Sequence, residues 1–128
     1  MYQVLFCDDN ETFRNQLYNI LKKSGKFKVL GFESGGELIR FYKTEPKTIQ
    51  NEHLIFIDCV MIDMSGFDTL QRILEFNPEA IVIMMTGKHQ KNIIDGIKLG
   101  AKWFIWKPFE EKNIKEALGK FNFIRENL

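Results

Sequence analysis

Cysteine is scarce in this chain. Cys7 and Cys59 are the only two among 128 residues, too few for a disulfide framework. Both lie in or beside strand-like hydrophobic runs, so the simple reading is buried thiols in a reducing, cytoplasmic setting. Charge of one sign is lacking too. Lys and Arg number 18 against 17 Asp and Glu, a formal net charge of +1, which removes the usual electrostatic motive for direct nucleic-acid binding. No apolar run approaches the ~20 residues of a transmembrane helix. The amino terminus runs straight into a strand-like segment with acids behind it, unlike a secretory leader. His53 and His89 sit in loop-like contexts, and nothing pairs them as metal ligands. There is no repeat, low-complexity tract or linker. What is present is ordinary: 45% hydrophobic and 27% charged residues argue against disorder, and the length suits one domain with a real core.

The pattern along the chain alternates. Short β-rich runs fall near positions 2–7, 28–32, 54–57, 80–85 and 102–106. Helical spacing fills the gaps: Phe13, Leu17, Ile20 and Leu21 after Asn10-Glu11; Leu38, Ile39 and Tyr42 between 36 and 43; Leu70, Ile73 and Leu74 between 67 and 76, ended by Pro78. Ile93, Ile94, Ile97 and Leu99 follow, stopped by Gly100, and Ile114, Leu118, Phe121 and Ile124 mark a helix expected over 110–127. Five strand–helix pairs imply parallel strands joined by right-handed crossovers. The second run, Lys26-Phe27-Lys28-Val29-Leu30, alternates and suggests an edge strand. The polar stretch from Glu45 to His53, with Pro46, reads as a loop.

The ends of these runs carry the chemistry. Asp8 and Asp9 close the first, Asp58 the third, Thr86 the fourth and Lys107-Pro108 the fifth. In one parallel sheet these residues share the carboxyl edge, where open α/β sheets place their sites. Three carboxylates, a hydroxyl and an ammonium suit a hard divalent cation and a phosphoryl group. Adjacent carboxylates repel unless a cation lies between them. Asp8 and Asp9 alone could merely start a helix at its positive end. Asp58, after four apolar residues, adds a carboxylate at a buried strand end, costly unless compensated.

Taken in this order and spacing, the residues resemble a response-regulator receiver domain across essentially the whole chain, 1–128. The stretch Asp58-Cys59-Val60-Met61-Ile62-Asp63-Met64-Ser65-Gly66 looks like the family's phosphoacceptor loop, and Gly100-Ala101 and Lys107-Pro108-Phe109 also match. The resemblance implies a flavodoxin-like, doubly wound α/β fold: a five-stranded parallel sheet of order 2-1-3-4-5 with five flanking helices. It implies that Asp58 is the nucleophile and the residue modified to aspartyl phosphate. Mg²⁺ (or Mn²⁺) would be held by Asp8, Asp9, Asp58 and the backbone carbonyl of Val60. Thr86 would bond the phosphoryl oxygen, and Lys107 would pair with Asp58 and then its phosphate, with a cis bond to Pro108. The implied partners are a histidine kinase or histidine phosphotransfer protein, and a downstream protein or a second copy of the chain through the final-strand face. No nucleic acid, membrane or turnover of an outside substrate is expected. With no effector-like segment after Asn127, the chain reads as a stand-alone or excised receiver.

Three departures accompany the match. The family commonly has proline at Ile62, aspartate at Ser65 and a polar side chain at Val60. The first two are expected to shape the loop without carrying chemistry. Apolar Val60 cannot hold a water in line with the phosphoryl group, and Lys88 could shield it, so both are expected to lengthen the phosphorylated lifetime. Phe104 stands at the family's switch-aromatic position, and Trp106 is expected at the exposed rim of the same face. Met61, Met64, Met84 and Met85 read as packing. Two other classes fit less well. A haloacid-dehalogenase-type phosphatase places its nucleophile in an Asp-x-Asp motif after the first strand, whereas Asp8 and Asp9 are adjacent. A flavodoxin-like electron carrier needs a hydroxyl- and glycine-rich loop where Asp8-Asp9-Asn10-Glu11 would repel a phosphate.

Overall fold

Five strands carry the runs expected from the sequence: β1 (Gln3–Cys7), β2 (Lys28–Phe32), β3 (His53–Asp58), β4 (Ile81–Thr86) and β5 (Trp103–Trp106). They form one parallel sheet of order β2-β1-β3-β4-β5. The helices between them are α1 (Glu11–Ser24), α2 (Gly35–Thr44), α3 (Gly66–Phe76), α4 (Gln90–Leu99) and α5 (Glu111–Lys120). The structure is a computed structural model that describes residues 3–25, 27–46, 53–87 and 90–121.

The sheet is buried on both faces, which is why its central strands read as unbroken apolar runs. On one face Val4, Phe6, Leu54, Phe56, Ile83, Met85 and Ile105 pack with Leu17 and Leu21 of α1 and Ile114 and Leu118 of α5. On the other, Leu5, Cys7, Ile55, Ile57, Val82 and Met84 pack with Leu38 and Tyr42 of α2 and Leu70 and Ile73 of α3. Alternate residues of each strand supply opposite faces. β2 lies at an edge, with Lys28 and Gly31 exposed, as its alternation implied.

Polar side chains set the helix starts. Asn10 Oδ1 accepts from the Phe13 N–H at 3.0 Å, Ser34 Oγ from Glu37 at 3.2 Å and Ser65 Oγ from Asp68 at 3.1 Å, each satisfying an amide the helix leaves open. Two expectations are corrected. His53 is not in a loop; it opens β3 and is buried, because Gln3 Oε1 lies 3.2 Å from its Nε2, Glu45 Oε1 lies at 3.6 Å, and the Tyr42 ring meets it edge-on. A buried ring nitrogen with such partners avoids the penalty that would keep it in solvent. The last helix, expected to reach Asn127, ends at Lys120, one residue past helix-weakening Gly119. Phe121 caps it, its N–H donating to the Ala117 carbonyl. Residues 122–128, with Ile124 and Asn127, lie outside the described residues, as does His89.

The turn from β3 into α3 depends on a close backbone approach. The Gly66 N–H donates to the Cys59 carbonyl at 3.0 Å, and a Cβ at Gly66 would lie 2.0 Å from the Asp58 carbonyl oxygen and 2.8 Å from Cys59 Cα. Both obstacles are backbone and cannot rotate away. Gly66→Ala is therefore expected to destabilise the fold by about 1–3 kcal/mol, read as a lower urea midpoint. An unchanged midpoint would mean that the loop opens freely.

Candidate functional site

The carboxyl ends of four strands converge. Asp8 follows β1, Asp58 is the last residue of β3, Thr86 the last of β4, and Lys107 follows β5. Because β1 and β3 are neighbours, ligand oxygens of Asp8, Asp9 and Asp58 come within 4.8 Å of one another. Asp8 and Asp58 are buried and Asp9 is half-buried. Lys107 crosses above the end of β4 to reach them: its Nζ is 3.1 Å from Asp58 Oδ1 and 2.5 Å from Asp8 Oδ2. The Lys107–Pro108 bond is cis.

Asp8 is held by Oδ1, which accepts from the Asn10 N–H at 3.0 Å, and by its carbonyl, which accepts from Arg14 at 2.9 Å. Its buried Oδ2 accepts no hydrogen bond among the described residues. Lys107 faces that atom as a neighbouring charge without the geometry of a hydrogen bond. Among the described residues, three carboxylates face one ammonium with one buried oxygen left unbonded, a donor set short of positive charge. It fits a hard divalent cation such as Mg²⁺, which takes oxygen ligands and often uses one or two carboxylates. Asp9 also lines a cleft with Ser34, Glu37, Met61 and Ile62 that opens the cluster to solvent.

The electrostatic strain is visible at Asp58. Burial, and then the Asp8 charge, raise its pKa from 3.8 to about 6, against the opposing pull of Lys107. Burial likewise pushes the Cys7 and Cys59 thiols up to about 12, helped by Asp8 and Asp58 respectively. Both sulfurs stay protonated and non-nucleophilic at neutral pH, and Cys7 donates to Met61 Sδ at 3.4 Å.

The sequence matches the response regulator receiver domain over residues 4–119. The chain belongs to the response-regulator receiver family. Chemotaxis protein CheY of Listeria monocytogenes is 35% identical over 121 residues, covering 94% of this chain and 98% of that protein. Chemotaxis protein CheY of Bacillus subtilis is 32% identical over 120 residues, covering 93% and 96%. A receiver-domain protein structure from Clostridium thermocellum superposes with a TM-score of 0.83 at 27% identity, covering 98% of this chain and 96% of its own. The acidic cluster of this receiver fits the magnesium-binding phosphoacceptor site of two-component signalling.

Asp8, Asp9, Asp58 and Lys107 lie together at this edge, and Thr86 ends the neighbouring strand, its carbonyl accepting from the Lys107 N–H. Three participants were missed. Phe13, read only as part of the apolar face of α1, offers its ring to Lys107, with Nζ 4.1 Å from the centroid. Phe109 braces that ring edge-on at 5.7 Å. A cation–π contact of this kind at a desolvated ammonium contributes about 2 kcal/mol. Ile62, expected only to shape the loop, donates its N–H to Asp9 Oδ2 at 2.8 Å, a bond that proline could not supply. Asn92 donates to Thr86 Oγ1 at 3.1 Å. Ser65 serves as the N-cap of α3. Val60, two residues after Asp58, is 69% exposed, and Lys88 lies outside the described residues.

Phe104 and Trp106 differ in burial. The Phe104 ring is half-buried against Met84 and α4, where a Cβ on Gly96 would lie 2.5 Å from it. Trp106 is 42% exposed, while Trp103 is the tryptophan covered from α5, with Lys120 Nζ 4.3 Å from its ring.

The raised Asp58 pKa carries a sign. Between 3.8 and about 6 the folded chain holds a proton that the unfolded chain has released, so stability falls as pH rises through that window. In metal-free protein, Asp58→Asn is expected to add on the order of 1–3 kcal/mol at pH 7.5 and almost nothing at pH 4. Urea titrations with chelator at both pH values check this; a gap of equal size at pH 4 would contradict it.

Proposed function

We propose that this receiver accepts a phosphoryl group on Asp58 from the phosphohistidine of a histidine kinase or histidine phosphotransfer protein, and that the modified site alters a protein-binding face around Phe104 and Trp106. We assign the whole chain, 1–128, to this one domain. The carrying observation is the buried Asp58 carboxylate, paired with Lys107 at 3.1 Å inside a cluster of three carboxylates. A purely structural ion pair has no use for the extra carboxylates.

In the transfer an Asp58 oxygen forms a bond to phosphorus as the phosphorus–nitrogen bond of the donor breaks. The imidazole leaves with that electron pair and takes a proton from water. Lys107 balances charge on the transferring oxygens and stays paired with the product. Asp8, Asp9, Asp58 and the Val60 carbonyl are the residues that would hold Mg²⁺ or Mn²⁺. Bound there, the ion supplies positive charge toward the phosphoryl oxygens. Thr86 then donates its hydroxyl to a phosphoryl oxygen. Removing one such electrostatic stabiliser costs roughly 10²–10³ in rate. The chain catalyses only its own phosphorylation and dephosphorylation. Among the described residues no helix is long and apolar enough to cross a membrane, and the proposed setting is cytoplasmic.

Acetyl phosphate with Mg²⁺ should add one phosphoryl group to the wild type and none to Asp58→Ala, read by intact-mass spectrometry. Equal labelling of both proteins would remove the assignment. The same label reports lifetime. The exposed Val60 side chain cannot hydrogen-bond water, so Val60→Asn is expected to shorten the half-life, up to about tenfold for a contact worth ~1.4 kcal/mol. An unchanged or longer half-life would rule out water positioning by residue 60. The shielding role proposed for Lys88 rests on its place two residues after Thr86.

Exposed Trp106 beside Phe104 is the natural anchor of the output face, since truncating such an anchor costs ~2 kcal/mol or more at an interface. Trp106→Ala is expected to leave Asp58 labelling near normal and to weaken phosphorylation-dependent binding of the partner or of a second copy, measured by sedimentation and pull-down. Wild-type binding by the folded variant would place the output surface elsewhere.

A further inference from the structure

Thr86 is buried at the end of β4, and its hydroxyl oxygen has a side-chain partner on the next helix. It accepts from Asn92 Nδ2 at 3.1 Å. A hydroxyl has one proton. With the Asn92 amide donating to the oxygen, that proton is left for an acceptor other than Asn92. The strand behind it is fixed: the Cys59 N–H donates to the Met85 carbonyl at 2.9 Å, and the Lys107 N–H to the Thr86 carbonyl at 2.8 Å. Only the side chain is free to turn. To donate to an oxygen carried on Asp58, the hydroxyl must turn about Cα–Cβ, which carries Oγ1 away from Asn92.

Asn92 lies in the first turn of α4, and Gly96, four residues on, meets the Phe104 ring. Ile94 and Ile97 of the same helix are exposed. We infer that Asn92 is a positioning residue that latches Thr86 in its resting place and so ties the first turn of α4 to the occupancy of Asp58. The inference rests on the reading of Asp58 as phosphoacceptor. Breaking the latch is part of the cost of activation, and its removal shifts the balance toward the activated arrangement.

Beryllofluoride with Mg²⁺ is the probe, acting as a phosphoryl mimic on the intact chain. A net hydrogen bond of ordinary strength predicts that Asn92→Ala tightens its apparent binding roughly three- to tenfold. In a Thr86→Val background the same substitution should have no effect, because the latch has already gone. Unchanged or weaker binding in Asn92→Ala, or an equal gain in both backgrounds, would overturn the latch. Wild-type protein gives a second reading: amide hydrogen exchange over residues 91–94 should speed up when beryllofluoride binds, and unaltered exchange would also overturn it. Failure of the wild type to bind beryllofluoride at all would bring down the phosphoacceptor reading, and the latch with it.

Discussion

Crowded negative charge at one sheet edge is the constraint from which the rest of the molecule follows. Asp8 and Asp58 are brought together because β1 and β3 are hydrogen-bonded neighbours, and both are buried where water cannot screen them. Among the described residues the fold answers with one ammonium. Lys107 comes from the far edge strand, passes over the end of β4, and is held on its third side by the face of Phe13. A ring face attracts a cation without adding another ionised group, so Lys107 is steadied without a further carboxylate. The elevated Asp58 pKa records what the single ammonium leaves uncompensated.

Helix α4 reports on both halves of this edge through one of its faces. Asn92 and Gly96 are one turn apart and therefore neighbours. The first touches Thr86, the second the ring of Phe104. Ile94 and Ile97 point away into solvent. Both contacts fall on one helix, whose exposed side carries Ile94 and Ile97 between Lys91 and Lys98.

Much of this was legible because parallel strands buried on both faces must be nearly continuous in apolar residues. Whatever terminates such a run stands at the carboxyl edge, so Asp8, Asp58, Thr86 and Lys107 identified themselves by position as well as by type. Other participants carried no such mark. Phe13 has the spacing of a core residue, and its second use depends on where Lys107 arrives. The Ile62 contribution comes from its backbone N–H, common to every residue but proline. Asn92 is one polar residue in a helical turn until β4 is placed beside it. His53 looked like loop because its neighbours are polar; its burial depends on Gln3 and Glu45, distant in sequence and adjacent in space. The end of the last helix was misplaced because apolar spacing continued past Lys120 while Gly119 had already weakened the turn.

The ion pair of Lys107 with Asp8 joins residues near the two ends of the chain, and that with Asp58 reaches its middle. Asp8 is made first, Asp58 midway and Lys107 last, and β5 takes its place on the outer side of β4. A nascent or truncated chain lacking that edge strand would have its acids without their counter-charge. Under the proposed role of Asp58, competence arrives with the final strand, and copies without that strand lack the counter-charge the transfer needs.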